Sequence, residues 1–203
     1  MRVLIAVFIL AFIYNGIFAH PVIWKDGIVI SSRLTESIKE FKTHYSITNK
    51  WSFGLHGIEL NDMSYGMVQS NYLFKRWNGE GSQGNVYLFS GLGTALENDK
   101  SMITHLGFQA DWETRTIYTH LSIDSYFEED PIHLISTRLG FAPYLVEFDG
   151  LSSWIILQLD DKVQSSNHQV SLMPVLRFFK DNILLELGSN LSNKYLTTIM
   201  IHF

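Results

Sequence analysis

The chain has 203 residues, enough for one domain of ordinary size, with 46% hydrophobic, 14% aromatic and only 17% charged residues. That many aromatics with so little charge excludes intrinsic disorder. A net charge of −5 has the wrong sign for a nucleic-acid binder, and zero cysteines exclude a disulfide scaffold, thiol catalysis and Cys-ligated zinc or iron–sulfur centres.

Arg2 is followed by an uncharged run, Val3 to Tyr14, and a small residue, Ala19. This order is that of a secretory signal peptide, and the run is shorter than the roughly 20 residues a spanning helix needs. Residues 1–19 are therefore expected to be a cleaved signal peptide and residues 20–203 the mature domain, beginning at His20. Loss of Arg2 leaves 14 cations against 20 acids, a mature charge near −6.

Beyond Ala19 the recurring signal is alternation with period two, the mark of strands. Tyr195, Thr197, Ile199, Ile201 and Phe203 oppose Leu196, Thr198, Met200 and His202. Turn-forming clusters cut the chain into twelve strand candidates: 22–33, 40–48, 51–60, 64–75, 84–94, 102–112, 115–125, 133–144, 151–160, 168–179, 182–189 and 194–203. Several exceed the usual five or six residues and approach the roughly 9–11 that a tilted strand needs to cross a bilayer. The polar side of each strand carries Ser, Thr, Gly, Asn, Gln and His more than Lys and Glu. That suits a barrel interior better than the charged outside of a soluble sandwich.

An even number of strands puts both ends on the periplasmic side. Short connections are expected there at 49–50, 113–114, 145–150 and 180–181, with a longer one at 76–83. Outer loops are expected near 34–39, 61–63, 95–101, 126–132, 161–167 and 190–193.

The chain ends on an aromatic residue, Phe203, with Ile201, Ile199 and Tyr195 at alternating positions before it. This resembles the C-terminal strand of Gram-negative outer-membrane β-barrel proteins. The resemblance implies recognition of these four residues by the assembly machinery. The segments THYSITNKWSFGLHGIE, FKRWNGEGSQGNVYLFSGLG, QADWETR, LGFAPYL and PVLRFFKDN further resemble an uncharacterised proteobacterial barrel family, over most of residues 41–203. The expected fold is all-β: a single antiparallel transmembrane barrel of about 12 strands in the outer membrane.

With Phe203, Ile183, Phe178, Leu157, Leu139, Leu121, Trp112, Phe53 and Tyr45 facing lipid, the lumen receives His44, His56, His105, Gln109, Asp111, His120, Asp124, Arg138, Arg177, Glu186 and His202. Charges avoid the lipid face, where Arg or Lys costs about 2–4 kcal/mol at the midplane. His105, Asp124, Gln109, His120, Arg138, Arg177 and Glu186 are expected to form one lumen network. Pairing Trp112 with Ile117 leaves 113–116 as a turn and sets Asp111 opposite Tyr118, Gln109 opposite His120, and His105 opposite Asp124.

Two His-x-Ser pairs, His44/Ser46 and His120/Ser122, place a base and a hydroxyl on one strand face. To that extent they resemble the phospholipase A and lipid A deacylase barrels. However, Ile47 and Ile123 follow where the deacylase pattern has Asn, and the sequence supplies no third residue to orient the base. A second idea is a copper chelate at a free His20-Pro21 terminus, which lacks further ligands nearby.

The five tryptophans, mostly near strand ends, are expected to form two interfacial girdles. The leading expectation is a barrel with a narrow polar lumen and a structural or narrow-pore role. A His-x-Ser lipid-modifying enzyme is the alternative. No metal and no cofactor are expected. The expected partners are outer-membrane lipids and the assembly machinery, without nucleic acid, and the oligomeric state is left open.

Overall fold

The computed structural model describes residues 20–97, 101–146, 150–192 and 194–203. The expected signal peptide, 1–19, lies outside the described residues. Within them the chain forms twelve strands: β1 Ile28–Thr35, β2 Ile38–Ser46, β3 Trp51–Leu60, β4 Met63–Gly79, β5 Ser82–Ala95, β6 Met102–Thr114, β7 Ile117–Phe127, β8 Ile132–Phe141, β9 Ser152–Gln164, β10 Asn167–Lys180, β11 Ile183–Ser189 and β12 Tyr195–His202. Each pairs antiparallel with its neighbour in sequence, and β12 closes on β1. Closure leaves no sheet edge, which a hydrocarbon environment demands of any β-structure. At the seam, the Phe203 and Ile28 amides each donate to the other residue's carbonyl, at 2.8 and 2.9 Å.

The period-two alternation sorts the side chains as expected. Tyr45, Phe53, Trp112, Leu121, Leu139, Leu157, Ile183 and Phe203 are exposed on the outside. His44, His56, His105, Asp111, Glu186 and His202 are buried within. Outside the barrel, exposed apolar side chains run around every strand, an arrangement that water would penalise and lipid accepts.

Several boundaries differ from expectation. The first strand begins at Ile28, because His20–Ile23 turns into the lumen and Trp24–Asp26 crosses the rim, exposed. The expected outer loop at 34–39 shrinks to Glu36-Ser37, closed by the Thr35 hydroxyl, which accepts from the Ile38 amide at 3.0 Å. The longer connection expected at 76–83 is a tight turn at Glu80-Gly81, with Gly81 at φ +72°, where a side chain would be strained. The connection expected to be short at 145–150 is instead the longest between strands, running from 142 to 151.

The β6–β7 hairpin is also tighter than expected, and the register moves by two residues. The Thr114 hydroxyl accepts from the Thr116 and Ile117 amides at 3.1 and 2.9 Å, so Arg115-Thr116 alone makes the turn. Trp112 then opposes Thr119, Asp111 opposes His120, Gln109 opposes Ser122, and His105 opposes Tyr126. A shift of two preserves the face of every residue, so the inside–outside assignment survives the register error.

Strand length divides the wall. β4 has 17 residues, whereas β1, β11 and β12 have 8, 7 and 8. Inside, the end opposite the termini is filled by an apolar cluster including Ile38, Leu60, Tyr65, Met67, Ile103, Tyr126 and Ile132. The β3–β4 turn leans over that mouth to the β9 end, where Asn61 Nδ2 donates to Gln164 Oε1 at 2.8 Å and Lys162 Nζ donates to Asn61 Oδ1. β3 and β9 face each other across the ring of twelve strands, so this contact spans the mouth.

Candidate functional site

Below the apolar cluster the lumen is lined by polar side chains, grouped into separate clusters where one network was expected. In the first, Glu186 on β11 holds two arginines. Arg138 Nη1 donates to both its oxygens at 3.0 and 3.1 Å, and Arg177 Nε donates to Oε1 at 2.8 Å. The Arg177 guanidinium also lies 4.2 Å from the Tyr118 ring centre, and Trp154 packs edge-on against that ring. Trp154 therefore points into the lumen, a correction to the expected lipid-facing girdle.

In the second cluster, Asn85 and Gln109 donate to the two oxygens of Asp111 at 2.7 and 3.1 Å, and Arg76 donates to Asn85 and to the Tyr87 hydroxyl. In the third, His105 Nε2 meets Asp124 Oδ1 at 2.8 Å, across the diagonal of the corrected register. Gly107 makes this possible. It lies directly opposite Asp124, and a Cβ there would sit 2.8 Å from the carboxylate oxygen. The His105 ring stacks on Tyr126 at 4.6 Å and meets His56 edge-on at 5.6 Å.

His56 in turn lies 2.9 Å from Glu40, which also pairs with Lys42 at 2.7 Å. Sequence reasoning did not single out Glu40 and Lys42. Their signal was available, since they alternate with His44 on one face of β2. The His105–Asp124 pair has a direct test. In urea unfolding of refolded barrel, the double-mutant cycle of His105→Asn and Asp124→Asn should give a coupling of about 0.5–3 kcal/mol. Additive single effects would mean that the pair does not interact.

Both His-x-Ser pairs face the lumen. Ser46 Oγ accepts from the Ile23 amide at 3.3 Å. His120 lies opposite Asp111, whose oxygens are occupied by Asn85 and Gln109. Among the described residues neither pair joins its imidazole to its hydroxyl by a hydrogen bond, and no three His, Asp or Glu side chains converge as a metal site.

The segment His20–Ile23 enters the barrel at the end carrying the termini, and Trp24–Gly27 ties it to the rim. The Ser52 hydroxyl donates to the Pro21 carbonyl at 3.1 Å, the Asp26 amide to the Ser46 carbonyl at 2.8 Å, and the Lys25 amide to Asn49 Oδ1 at 2.9 Å. Val22, 1% exposed, packs on Leu73 and Tyr87. His20 is 7% exposed, 3.1 Å from Gln83 and beside the Tyr87 ring. A buried His20 is not the free terminal chelator that the sequence suggested. Burial, with Arg76, His202 and Arg177 nearby, pushes its imidazole down to about 3.

Trp24, Trp51, Trp77 and Trp112 are exposed, and all lie at the end carrying the termini, so the outward tryptophans form one girdle instead of two.

A closed antiparallel barrel with an apolar outer belt, aromatics at one rim and a charged, hydrogen-bonded lumen is the architecture of outer-membrane porins. The chain folds as such a barrel. It is similar to the KdgM porin solved in complex with disordered oligogalacturonate, at 12% identity and a TM-score of 0.57, over 87% of this chain and 98% of that one. A second KdgM porin structure gives 14% identity and a TM-score of 0.54, with the same coverage. OccK8 of Pseudomonas aeruginosa is more distant, with a TM-score of 0.46 and 7% identity, over 88% of this chain and 67% of that one. No family model matches the sequence, and no curated protein matches it.

Proposed function

We propose that the protein is a narrow outer-membrane pore for small hydrophilic solutes, closed at the end carrying the termini by its own segment His20–Ile23. The observation that carries this reading is the course of that segment through the lumen. The lining supports a water-filled path. Arg33 Nε, His120 Nδ1, Gln158 Oε1, Asp160 Oδ1 and Thr198 Oγ1 are buried without a protein partner, the kind of group that water or a polar solute satisfies. Among the described residues neither His-x-Ser pair of the lipid-modifying alternative has a hydroxyl–imidazole bond to rest on; the bond that does form between a histidine and a serine, His133 Nδ1 with Ser125 Oγ at 2.9 Å, belongs to neither pair.

Planar-bilayer conductance of refolded barrel tests this. Wild type should conduct weakly and intermittently. Removing residues 20–26, or burying a charge with Val22→Asp, should raise the open conductance, whereas equal conductance in all three would defeat the reading.

Acid should act in the same direction. The docked His20 has a pKa near 3 against an ordinary 6.5, so only the undocked segment takes up a proton readily. Its contribution to docking is complete above about pH 6.5 and is lost as pH falls from there towards 3. The facing groups are Arg76 from β4, Tyr87 and Gln83 from β5, Arg177 from β10 and His202 from β12. Conductance should therefore rise on acidification, and His20→Gln should flatten that rise.

A further inference from the structure

Among the described residues four arginines face the lumen, and three of them are bonded. Arg138 and Arg177 share Glu186, and Arg76 holds Asn85 and Tyr87. Arg33, on β1, makes no side-chain hydrogen bond or ion pair among the described residues, and its Nε is buried. The carboxylates of Glu40, Asp124, Asp160 and Glu186 all act on it electrostatically. Three of these are engaged elsewhere: Glu40 by Lys42 and His56, Asp124 by His105, and Glu186 by its two arginines. Asp160, on β9, has no cationic partner among the described residues. Its Oδ2 accepts from Gln158 Nε2 at 2.6 Å, and its Oδ1 is buried without a bond.

The unbonded atoms sort by position. Arg33 lies directly opposite Thr198 on β12, whose hydroxyl is also buried and unbonded. Asp160 lies directly opposite Ser136 on β8, and the Ser136 hydroxyl and Gln158 Oε1 are in the same state. A guanidinium and a hydroxyl thus stand on the β1–β12 wall, and a carboxylate, an amide carbonyl and a hydroxyl on the β8–β9 wall. β10 and β11 separate the two walls. Met173 on β10, 4% exposed and opposite Gln158, makes that stretch apolar. Buried polar atoms are normally bonded, to protein or to something held beside them. Water can meet each of these atoms singly, but it leaves Arg33 and Asp160 without a counter-charge in contact.

We infer that this stretch of the lumen is a binding site for a small zwitterion, a solute with a carboxylate and an ammonium a few bonds apart, as in a free α-amino acid. The carboxylate would take Arg33 and Thr198, and the ammonium Asp160, Gln158 Oε1 and Ser136. The carbon between them would lie along Met173. Charge decides the class. A lone anion reaching Arg33 also meets the field of Asp160 and of the other three acids. A lone cation reaching Asp160 meets that of Arg33. A molecule with both charges satisfies both walls at once, so discrimination comes from the wall that a singly charged analogue leaves unpaired. The inference deepens the pore reading: it names the solute class, and it rests on the lumen being wet.

Equilibrium dialysis of refolded barrel in a non-ionic detergent, against isotope-labelled alanine, tests this. One saturable site per barrel is expected. Unlabelled alanine should displace the label about tenfold better than propionate or ethylamine, each of which keeps one of its two charges. Arg33→Gln and Asp160→Asn should each weaken binding about tenfold, and Thr198→Val, which removes only a hydroxyl, by less. No saturable binding would overturn the site and mean that water alone meets these atoms. Equal competition by propionate or ethylamine would overturn it too, since one charge would then suffice. If a charge variant does not fold, the competition series on wild type decides without it. Planar-bilayer conductance of the same preparation separates failure of the site from failure of the pore. Alanine binding with no gain in conductance on removing residues 20–26 would sink the pore and keep the site. Conduction without alanine binding would sink the site and keep the pore.

Discussion

Glu186→Gln is expected to destabilise the barrel by about 3–5 kcal/mol, because it leaves two buried guanidinium groups without their shared counter-charge. Glu186 is 2% exposed and accepts from both Arg138 and Arg177, and among the described residues neither arginine forms an ion pair with a second carboxylate. The Tyr118 ring offers Arg177 a π-face, which a neutral amide at 186 would not replace with charge. Replacing the whole triad with apolar residues, as Arg138→Met, Arg177→Met and Glu186→Leu together, should cost far less than the single change, since no charge then remains desolvated. Unfolding midpoints in urea, at matched lipid and pH, measure both. A loss in Glu186→Gln of only about 1 kcal/mol, the value of a surface pair, would mean that the lumen is wet enough to solvate the arginines. In that case conductance should be high in wild type as well.

Leu121→Arg and Ile199→Arg are expected to block insertion or cost about 2–4 kcal/mol each, since both side chains stand on the outer face away from the strand ends. Ser122→Arg, one residue along β7 and facing the polar lumen, should be milder. The contrast isolates the environment, because the introduced group is the same and the positions are adjacent. Refolding yields and unfolding titrations in vesicles should separate the two classes. A similar response at 121 and 122 would mean that this strand does not present alternate faces to lipid and lumen.

Much of the lumen was legible because a strand's inside and outside follow from parity alone. His44, His56, His105, Asp124, Arg138, Arg177 and Glu186 could be placed from the apolar residues that alternate with them, and all lie inside. Parity is blind to what those side chains reach across the lumen. Arg138 and Glu186 are 48 positions apart and meet from β8 and β11. The His105–Asp124 contact was foreseen through a wrong register, and it forms diagonally because Gly107 leaves room for the carboxylate. The two-residue slip came from Thr114, whose hydroxyl closes a turn that looked four residues long.

By itself the sequence determined the transmembrane barrel of about twelve strands, its closing aromatic residue and the face of nearly every side chain between the turns; the count of twelve came with the structure. These follow from local pattern: alternation selects a two-sided strand, turn residues cut the strands, and so little charge on one side leaves lipid as the compatible surroundings. Only the tertiary structure decided what fills the lumen. The apolar cluster at one mouth gathers residues from β2 to β8, the plug at the other is a segment whose apolar and β-branched residues resemble an opening strand, and a bulge in β4 at Leu73–Lys75 adds one residue that no period predicts. Each depends on which distant groups share a cross-section of the barrel, a consequence of strand tilt and closure that is not encoded within any one strand.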